Sequence, residues 1–237
     1  MNLSICSHRA RLTCSLILSF ACILSGTVSH ADLILTGIID GPLSGGRPKA
    51  IELYATVAIP DLSIYGVELV SNAGISANAV ETFFSGALNA GDYYYVAEDT
   101  TEFTNFFGFT PDLVSNDVNH NGDDDFYIYK NGTVIDVWGG SDGVDNTGTV
   151  ADILDSWAYR LNGTSFSGAF DPNNWNIQPT NTLDGELTAA NANVPFGTYQ
   201  AAPVPEPSTL ALAGLGIAVA GLAARRRRVA AASKIAA

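Results

Sequence analysis

Apolar side chains in the first three quarters of the chain recur in short runs that favour β-strands. Leu33 to Asp40 is rich in β-branched residues and ends at a Gly-Pro pair, and Ala50 to Ala55 alternates apolar with polar side chains, as a half-buried strand does. Ile64 to Val70 and Tyr93 to Ala97 are further β-prone runs. With frequent turn signals between the runs, the pattern predicts about eight short strands and an all-β sandwich.

The clearest local signal is a hairpin. Phe126 to Tyr129 and Val134 to Trp138 are two β runs joined at Asn131-Gly132. The Asn-Gly pair supplies the positive φ angles that a tight primed turn requires. Elsewhere the sequence predicts a bulge at Gly66 and one helical turn within Glu102 to Phe109, where four phenylalanines would pack over the end of a sheet.

The first 31 residues have the parts of a secretory signal peptide. A basic start precedes an apolar run from Leu12 to Leu24, and Ser29-His30-Ala31 places small residues before a cleavage point. The apolar run, about 13 residues, is too short for a membrane anchor. We therefore expect cleavage after Ala31 and export of the remainder, with lipidation at Cys22 as the weaker alternative.

A second apolar run, Thr209 to Ala224, lies near the other end of the chain. Four arginines follow it: Arg225, Arg226, Arg227 and Arg228. As a helix, the run of about 16 residues spans roughly 24 Å, which predicts a marginal transmembrane helix over residues 209–224. Because arginine crosses a bilayer at high cost, the basic cluster and residues 229–237 should stay cytoplasmic, with everything before Val204 outside.

A short polar signature stands directly before this run: Val204, Pro205, Glu206, Pro207 and Ser208. Signature, apolar run and basic cluster together, over residues 204–228, resemble the PEP-CTERM sorting domain. The resemblance implies that an exosortase, a membrane peptidase, recognises and removes the tail. It also implies transient anchoring in the inner membrane of a Gram-negative bacterium. The final location would then be the cell surface or an extracellular matrix rich in polysaccharide.

The body resembles a second family. The segments that carry this resemblance are Lys49–Tyr54, Leu88 with Gly91–Val96, Asp124–Phe126 with Tyr129–Gly132 and Val134–Asp136, and Asp155–Arg160. In this order they are similar to the lamin-tail domain, an immunoglobulin-like β-sandwich that also occurs in exported bacterial proteins. The resemblance implies one such domain over residues 32–186 and leaves no enzyme domain. The Ala-, Asn- and Pro-rich residues 187–203 are then interpreted as a linker.

Charge and cysteine usage narrow the class of partner. All 24 acidic residues lie between Asp32 and Glu206, where only four residues are basic. This excess of negative charge repels phosphate backbones and argues against a nucleic-acid partner, whereas divalent cations, cationic surfaces and polysaccharides remain. The three cysteines all fall within the predicted signal peptide, so the body has no disulfide, thiol nucleophile or cysteine metal site.

The strongest candidate for a metal site precedes the hairpin. Its oxygen-bearing residues are Asp117, Asn119, Asn121, Asp123 and Asp125. Their alternation, with glycine at the sixth place, matches the first half of a calcium loop, but Ile128 stands where the pattern needs a bidentate carboxylate. A solvated acidic turn is the alternative interpretation. No cofactor other than calcium is expected.

Other candidate residues have weaker signals. His120 is the only histidine of the body, and without partners for a triad or a zinc site we expect it to be exposed. Trp138, Trp157 and Trp175 are expected in the core, with sugar stacking as the alternative. The run Tyr93–Tyr95 must turn at least one ring away from the core, because the faces of a strand alternate. Acidic residues are plentiful enough for a glycosidase pair, but no pair is singled out.

The function that these observations favour is that of an exported, non-enzymatic surface or extracellular-matrix protein, associated with exopolysaccharide or biofilm and sorted by an exosortase-type system. A calcium- or carbohydrate-binding adhesin module is the alternative. An enzyme acting on exopolysaccharide is the least favoured interpretation.

Overall fold

The computed structural model describes residues 31–140 and 143–203, together with Gly216, Val219, Gly221 and Arg225. The predicted signal peptide, apart from Ala31, lies outside the described residues, and so does most of the predicted helix over residues 209–224. In the part of the chain that is described, no helix is both long and apolar enough to cross a membrane.

The chain divides into two compact units. The first comprises Met1–Leu161 and Ser165–Tyr199, and the second comprises Asn162–Thr164 and Gln200–Ala237. In the second unit, the Gly163 amide donates to the Gln200 carbonyl at 2.8 Å, and the Gln200 amide donates to Oδ1 of Asn162 at 2.8 Å.

Besides the helical residues Gly216, Val219, Gly221 and Arg225, ten strands and one α-helix are described over their full length, all in the first unit. They are β1 (Leu33–Leu43), β2 (Arg47–Ala55), β3 (Tyr65–Val70), β4 (Thr82–Phe83), β5 (Tyr93–Ala97), α1 (Thr100–Phe107), β6 (Leu113–Val114), β7 (Asp125–Lys130), β8 (Thr133–Trp138), β9 (Ser156–Arg160) and β10 (Trp175–Ile177). Short 3-10 helices occupy Leu62–Ile64, Asn116–Val118 and Pro172–Asn174.

These strands form two sheets, in the orders β10-β9-β1-β2-β5-β6 and β4-β3-β7-β8. All of the pairings are antiparallel except that of β5 with β6. The body is therefore a two-sheet β-sandwich that fits an immunoglobulin-like fold, as the strand pattern predicts. Gly66 pairs in regular register with Tyr129 and Phe83, so the bulge predicted there is wrong.

Strands β1 and β2 form the centre of the six-stranded sheet, and an irregularity in β1 sets which side chains reach the core. The register shifts between Leu35 and Gly37, which places an extra residue on β1. Leu33, Leu35 and Ile38 consequently all belong to the buried cluster between the sheets. Val67 and Ile128 meet them from the four-stranded sheet, so the apolar runs of both sheets share one core.

A buried ion pair crosses from one sheet to the other. Arg160 of β9 donates from Nη2 to Oδ1 of Asp136 of β8 at 2.6 Å, and the two side chains are 2% and 0% exposed. The Leu35 amide of β1 donates to Oδ2 of Asp136 at 3.0 Å. The guanidinium also lies 4.4 Å from the ring of Trp175. Each charged group thus has several partners, which an ion pair needs when water is excluded.

The hairpin is confirmed. Strands β7 and β8 pair around a turn in which Asn131 has a φ of 50° and Gly132 a φ of 72°. These are the two positive φ angles of a primed turn. The local sequence is sufficient to specify this element, because the turn residues and both flanking runs agree.

A third layer covers the outer face of the six-stranded sheet. The predicted helical turn is present as the eight-residue helix α1, which begins at an Asp99 cap and buries Phe103 and Phe106. Residues 189–199, which we call the clasp, lie on the same face, where the Ala189 amide donates to the Phe106 carbonyl at 2.9 Å. This corrects the interpretation of residues 187–203 as a linker, because Tyr199 is only 2% exposed.

Candidate functional site

The five residues of the predicted calcium loop are held by different parts of the fold. Asp117 accepts a hydrogen bond from the hydroxyl of Thr82. Oδ2 of Asp123 accepts one from the hydroxyl of Thr147 at 2.6 Å. Asp125 begins β7 and is 1% exposed. These three carboxylates therefore accept hydrogen bonds from separate donors.

Protein N–H groups donate hydrogen bonds to the two buried acids of this loop. Oδ1 of Asp125 accepts from the Gly140 amide at 2.8 Å and from Nδ2 of Asn146 at 2.7 Å. Asp124, 3% exposed, accepts from the Asn72 amide at 2.7 Å and from the Asn121 amide at 3.1 Å. The loop is thus not a solvated acidic turn, because N–H donors rather than water meet these charges.

Within residues 31–140 and 143–203, no group of three His, Cys, Asp or Glu side chains is placed to hold a metal ion. Asn119 and Asn121 are exposed in the same loop. The calcium site stays a prediction without a converging set of ligands.

His120 is buried rather than exposed, which corrects the sequence interpretation. It is 1% exposed, its Nε2 lies 2.9 Å from the Ile39 carbonyl, and the Gly122 amide donates to its Nδ1 at 3.3 Å. Because Nδ1 accepts a hydrogen bond from the Gly122 amide, Nε2 must be the nitrogen that carries the proton, which it donates to the Ile39 carbonyl. Burial lowers the pKa of His120 to about 3, so the ring is neutral and structural.

Next to His120 lies a buried ion pair that the sequence did not reveal. Nζ of Lys49 lies 2.9 Å from Oδ1 of Asp40, its register partner across β1 and β2, and it also donates to the His120 carbonyl. The Asp155 amide donates to Oδ2 of Asp40 at 3.1 Å. Burial raises the pKa of Asp40 to about 6, against the opposing effect of Lys49.

This pair borders a polar cleft of about 420 Å³. Ser44, Gly45 and Gly46 of the turn between β1 and β2 form one wall, and Asn121 and Asp155 contribute polar side chains. Hydroxyl, amide and carboxylate groups around an open cleft suit a small polar ligand, since each can exchange water for a hydrogen bond to it.

Glu52 of β2 is another buried acid that sequence reasoning missed. It is 0% exposed, and its Oε1 accepts from the hydroxyls of Thr36 at 2.7 Å and Tyr159 at 2.8 Å. Oε2 accepts from the Gly197 amide at 2.5 Å. Burial raises the pKa of Glu52 to about 7, although these hydrogen bonds oppose the rise. The alternation along β2 placed Glu52 on the outer face but gave no sign that this face is covered.

The clasp covers Glu52 through four consecutive residues. The ring of Phe196 stacks on Phe107 at 5.0 Å between centroids. The hydroxyl of Tyr159 accepts from the Thr198 amide at 3.0 Å and from the Tyr199 amide at 2.8 Å. The amides of Gly197, Thr198 and Tyr199 thus each find a specific partner on the sheet.

The aromatic residues considered for sugar stacking pack within the fold. Trp138 is 0% exposed, Trp157 5% and Trp175 6%. Tyr94 faces the core, whereas Tyr93 and Tyr95 face the clasp side of the sheet, which confirms that the triplet divides between two faces. In the described part of the chain, none of these rings forms an open stacking platform.

Most of the predicted sorting residues lie outside the described part of the chain. Among them are Val204, Pro205, Glu206, Pro207, Ser208, Arg226, Arg227 and Arg228. Arg225 is described, is helical and is exposed.

Comparison with known proteins identifies this tail. The PEP-CTERM protein-sorting motif matches residues 203–228, which include the Pro-Glu-Pro signature, the apolar run and the arginines. No curated protein and no solved structure matches the chain. The lamin-tail resemblance of the body therefore stays a prediction. The C-terminal end of this protein is a PEP-CTERM sorting signal, which directs export, transient membrane anchoring and processing by an exosortase-type peptidase.

Proposed function

We propose that this protein is a non-enzymatic component of the cell surface or extracellular matrix, delivered by its sorting tail and associated there with exopolysaccharide. The sorting signal makes the C-terminal end a substrate of the export machinery. The body is the cargo, a lamin-tail-like sandwich that stays outside the cell after the tail has been removed.

One observation carries this proposal: the folded body ends just before the sorting signal begins. Tyr199 is the last deeply buried residue of the first unit, at 2% exposed, and the matched signal starts at residue 203. A peptidase that cuts within the signal removes no residue of the core. The cargo therefore keeps its structure after processing.

The chemistry of the body also supports a non-catalytic role. The buried acids Asp40, Glu52 and Asp136 each accept hydrogen bonds from groups of the fold, and the buried His120 is neutral. Groups held in this way stabilise a structure, whereas a general acid or base must be able to reach a substrate. The alternative, a carbohydrate-binding adhesin module, would use the polar cleft beside Asp40.

Processing tests the proposal directly. In a host that carries an exosortase, we expect the mature protein to lack residues 1–31 and the arginine cluster by mass spectrometry, and to fractionate with the cell surface or matrix polysaccharide. The matched control is Glu206→Ala, which alters the signature without touching the body and should retain the tail. Intact Arg225–Arg228 on the mature wild-type protein would show that the tail is a permanent anchor.

A second measurement separates the cargo role from its alternatives. We expect the exported protein to bind no single glycan or calcium saturably and to leave matrix polysaccharide intact. Saturable binding that is lost on Asp155→Asn in the cleft would favour the adhesin. Polysaccharide cleavage that one carboxylate substitution abolishes would favour an enzyme.

A further inference from the structure

The outer face of the six-stranded sheet has the construction of a peptide-binding groove. Its floor is Glu52, and its walls are aromatic: Phe107 of α1, Tyr93 and Tyr95 of β5, and Tyr159 of β9. Four elements that are distant in sequence meet here, so the groove exists only in the folded sandwich.

The clasp occupies this groove as a peptide ligand would. A Cβ on Gly37 would overlap the ring of Phe196, so the sheet leaves a space that this ring fills. The ring of Tyr199 packs edge-on against Tyr54 at 5.1 Å, and the Tyr199 carbonyl accepts from the hydroxyl of Tyr93 at 2.7 Å. Backbone hydrogen bonds with two aromatic anchors are the usual basis of peptide affinity and specificity.

The chain that leads into the clasp has the properties of a hinge. Leu183 is 0% exposed and fixes the chain to the body, and the next described backbone contact with the body is that of Ala189 with Phe106. Between these two points the one backbone hydrogen bond of Glu186 within the described residues runs from its amide to the Leu183 carbonyl of its own turn, and Leu187 is 67% exposed. Residues 184–188 can therefore change direction without breaking the sandwich.

We propose that the groove is an intermolecular site whose ligand is the clasp of a second copy of this chain, so that two copies exchange residues 189–199 together with the chain that follows them. The exchanged pair makes every contact that the closed chain makes, because groove and clasp are unchanged. The difference between the two states is confined to the hinge, which is why exchange of a terminal segment is a low-cost route to a dimer.

The hinge also supplies a reason for two copies to remain together. In a two-fold exchange, the two hinges pass each other near the symmetry axis. Leu187, which water surrounds in the closed chain, then meets Leu187 of the second copy and buries apolar surface that the closed chain leaves exposed. Copies anchored side by side by their sorting tails meet at high local concentration, which favours exchange.

Two complementary variants of the full chain, in detergent, test this proposal. Phe196→Ala/Tyr199→Ala removes the anchors and leaves a vacant groove. Gly37→Val fills the space for Phe196, which displaces the clasp of that chain and frees it. We expect each variant alone to have the mass of one chain and an equimolar mixture to have the mass of two by light scattering.

Controls make the outcome unambiguous. Phe83→Ala removes a 60% exposed ring from β4, away from the groove, and its mixture with Gly37→Val should keep the mass of one chain. A mixture of the two groove variants that also keeps the mass of one chain would overturn the proposal. If Gly37→Val does not unfold cooperatively, a synthetic peptide of residues 188–203 replaces it as the donor. Saturable binding of that peptide to the vacant groove supports the site, and no binding up to its solubility limit rejects it.

The wild-type chain offers a test that needs no variant in the groove. After incubation at high concentration, native mass spectrometry should show dimers that dissociate slowly on dilution, and Leu187→Ser should reduce their fraction several-fold. Monomers alone at every concentration would contradict exchange. Neither the presence nor the absence of dimers depends on the final location of the protein. The proposed function is therefore tested independently of the exchange.

Discussion

The hydroxyl of Tyr159 donates to Oε1 of Glu52 at 2.8 Å, across 107 positions of sequence. The same oxygen of Tyr159 accepts two amide protons from the clasp. One tyrosine therefore connects a buried acid at the centre of the sheet with the last folded residues of the body. We therefore expect a change in the charge of Glu52 to alter the hydrogen bonds that hold the clasp on the sheet.

The stability of the protein should fall as pH rises toward neutrality because of Glu52. Its pKa rises from 4.5 to about 7 on folding, so the folded state binds a proton that the unfolded state has lost. This contribution is complete below about pH 4.5 and is lost as pH rises through 7, with a slope of up to ~1.4 kcal/mol per pH unit. Urea unfolding between pH 4.5 and 8 measures it.

Glu52→Gln is the matched variant, because an uncharged amide of the same shape does not titrate. Its unfolding free energy should lose this part of the pH dependence, and hydrogen exchange at Gly197 and Thr198 should no longer accelerate with pH beyond the intrinsic rate. A wild-type protein whose clasp amides respond to pH no more than those of the variant would contradict this role of Glu52.

His120 should act in the opposite direction. Its pKa falls from 6.5 to about 3 on burial. Between these two pH values the unfolded state therefore binds a proton that the folded state does not bind. The contribution of His120 is present above pH 6.5 and is lost as pH falls toward 3, again by up to ~1.4 kcal/mol per unit. His120→Gln should remove this acid-side loss. An unchanged slope between pH 6 and 4 in that variant would show that other groups cause the loss.

Arg160→Met should be strongly destabilising. It removes one partner of a buried ion pair and leaves the carboxylate of Asp136 without its cation, a change that costs about 3–5 kcal/mol in comparable sites. Arg47→Met is the control, because the Arg47 side chain pairs with Glu98 while 43% exposed and should have a far smaller effect. Comparable shifts in the unfolding midpoints of the two variants would refute this ranking.

The turn between β7 and β8 should be sensitive to glycine replacement. Gly132→Ala places a Cβ at a φ of 72°, which costs roughly 1–2 kcal/mol. Thr133→Ala, one residue further on and also exposed, keeps an ordinary strand conformation and should cost less. Thermal unfolding of both variants gives the comparison, and equal losses would mean that the turn conformation is not the cause.

Elements that depend on neighbouring residues were predictable, and those that depend on distant contacts were not. Asn131-Gly132 and its flanking runs specify their hairpin locally. The alternation along β2 placed Glu52 on the outer face, but alternation cannot show whether another layer covers that face. His120 was expected in solvent because nothing near it in sequence indicates that the Ile39 carbonyl lies 2.9 Å away.

The clasp escaped prediction for a related reason. Residues 187–203 are rich in Ala, Asn and Pro and have no helical or strand period, which is typical of a linker. Their attachment depends on backbone amides and two aromatic rings, and such contacts leave no periodic pattern. The sorting signal was predictable because a peptidase reads it as a linear sequence.

The position of the clasp at the end of the body sets the order in which the exported chain can be completed. Gly197 follows Glu52 by 145 positions, so in a chain that is exported from its N-terminal end, as the predicted signal peptide implies, the sheet reaches the far side of the membrane well before its cover. Until Phe196 emerges, Glu52 and the aromatic side chains that line the groove are exposed to water or to a chaperone. The last step of folding therefore falls in the interval when the sorting tail is entering the membrane, and a delay there would leave the cargo open to proteolysis.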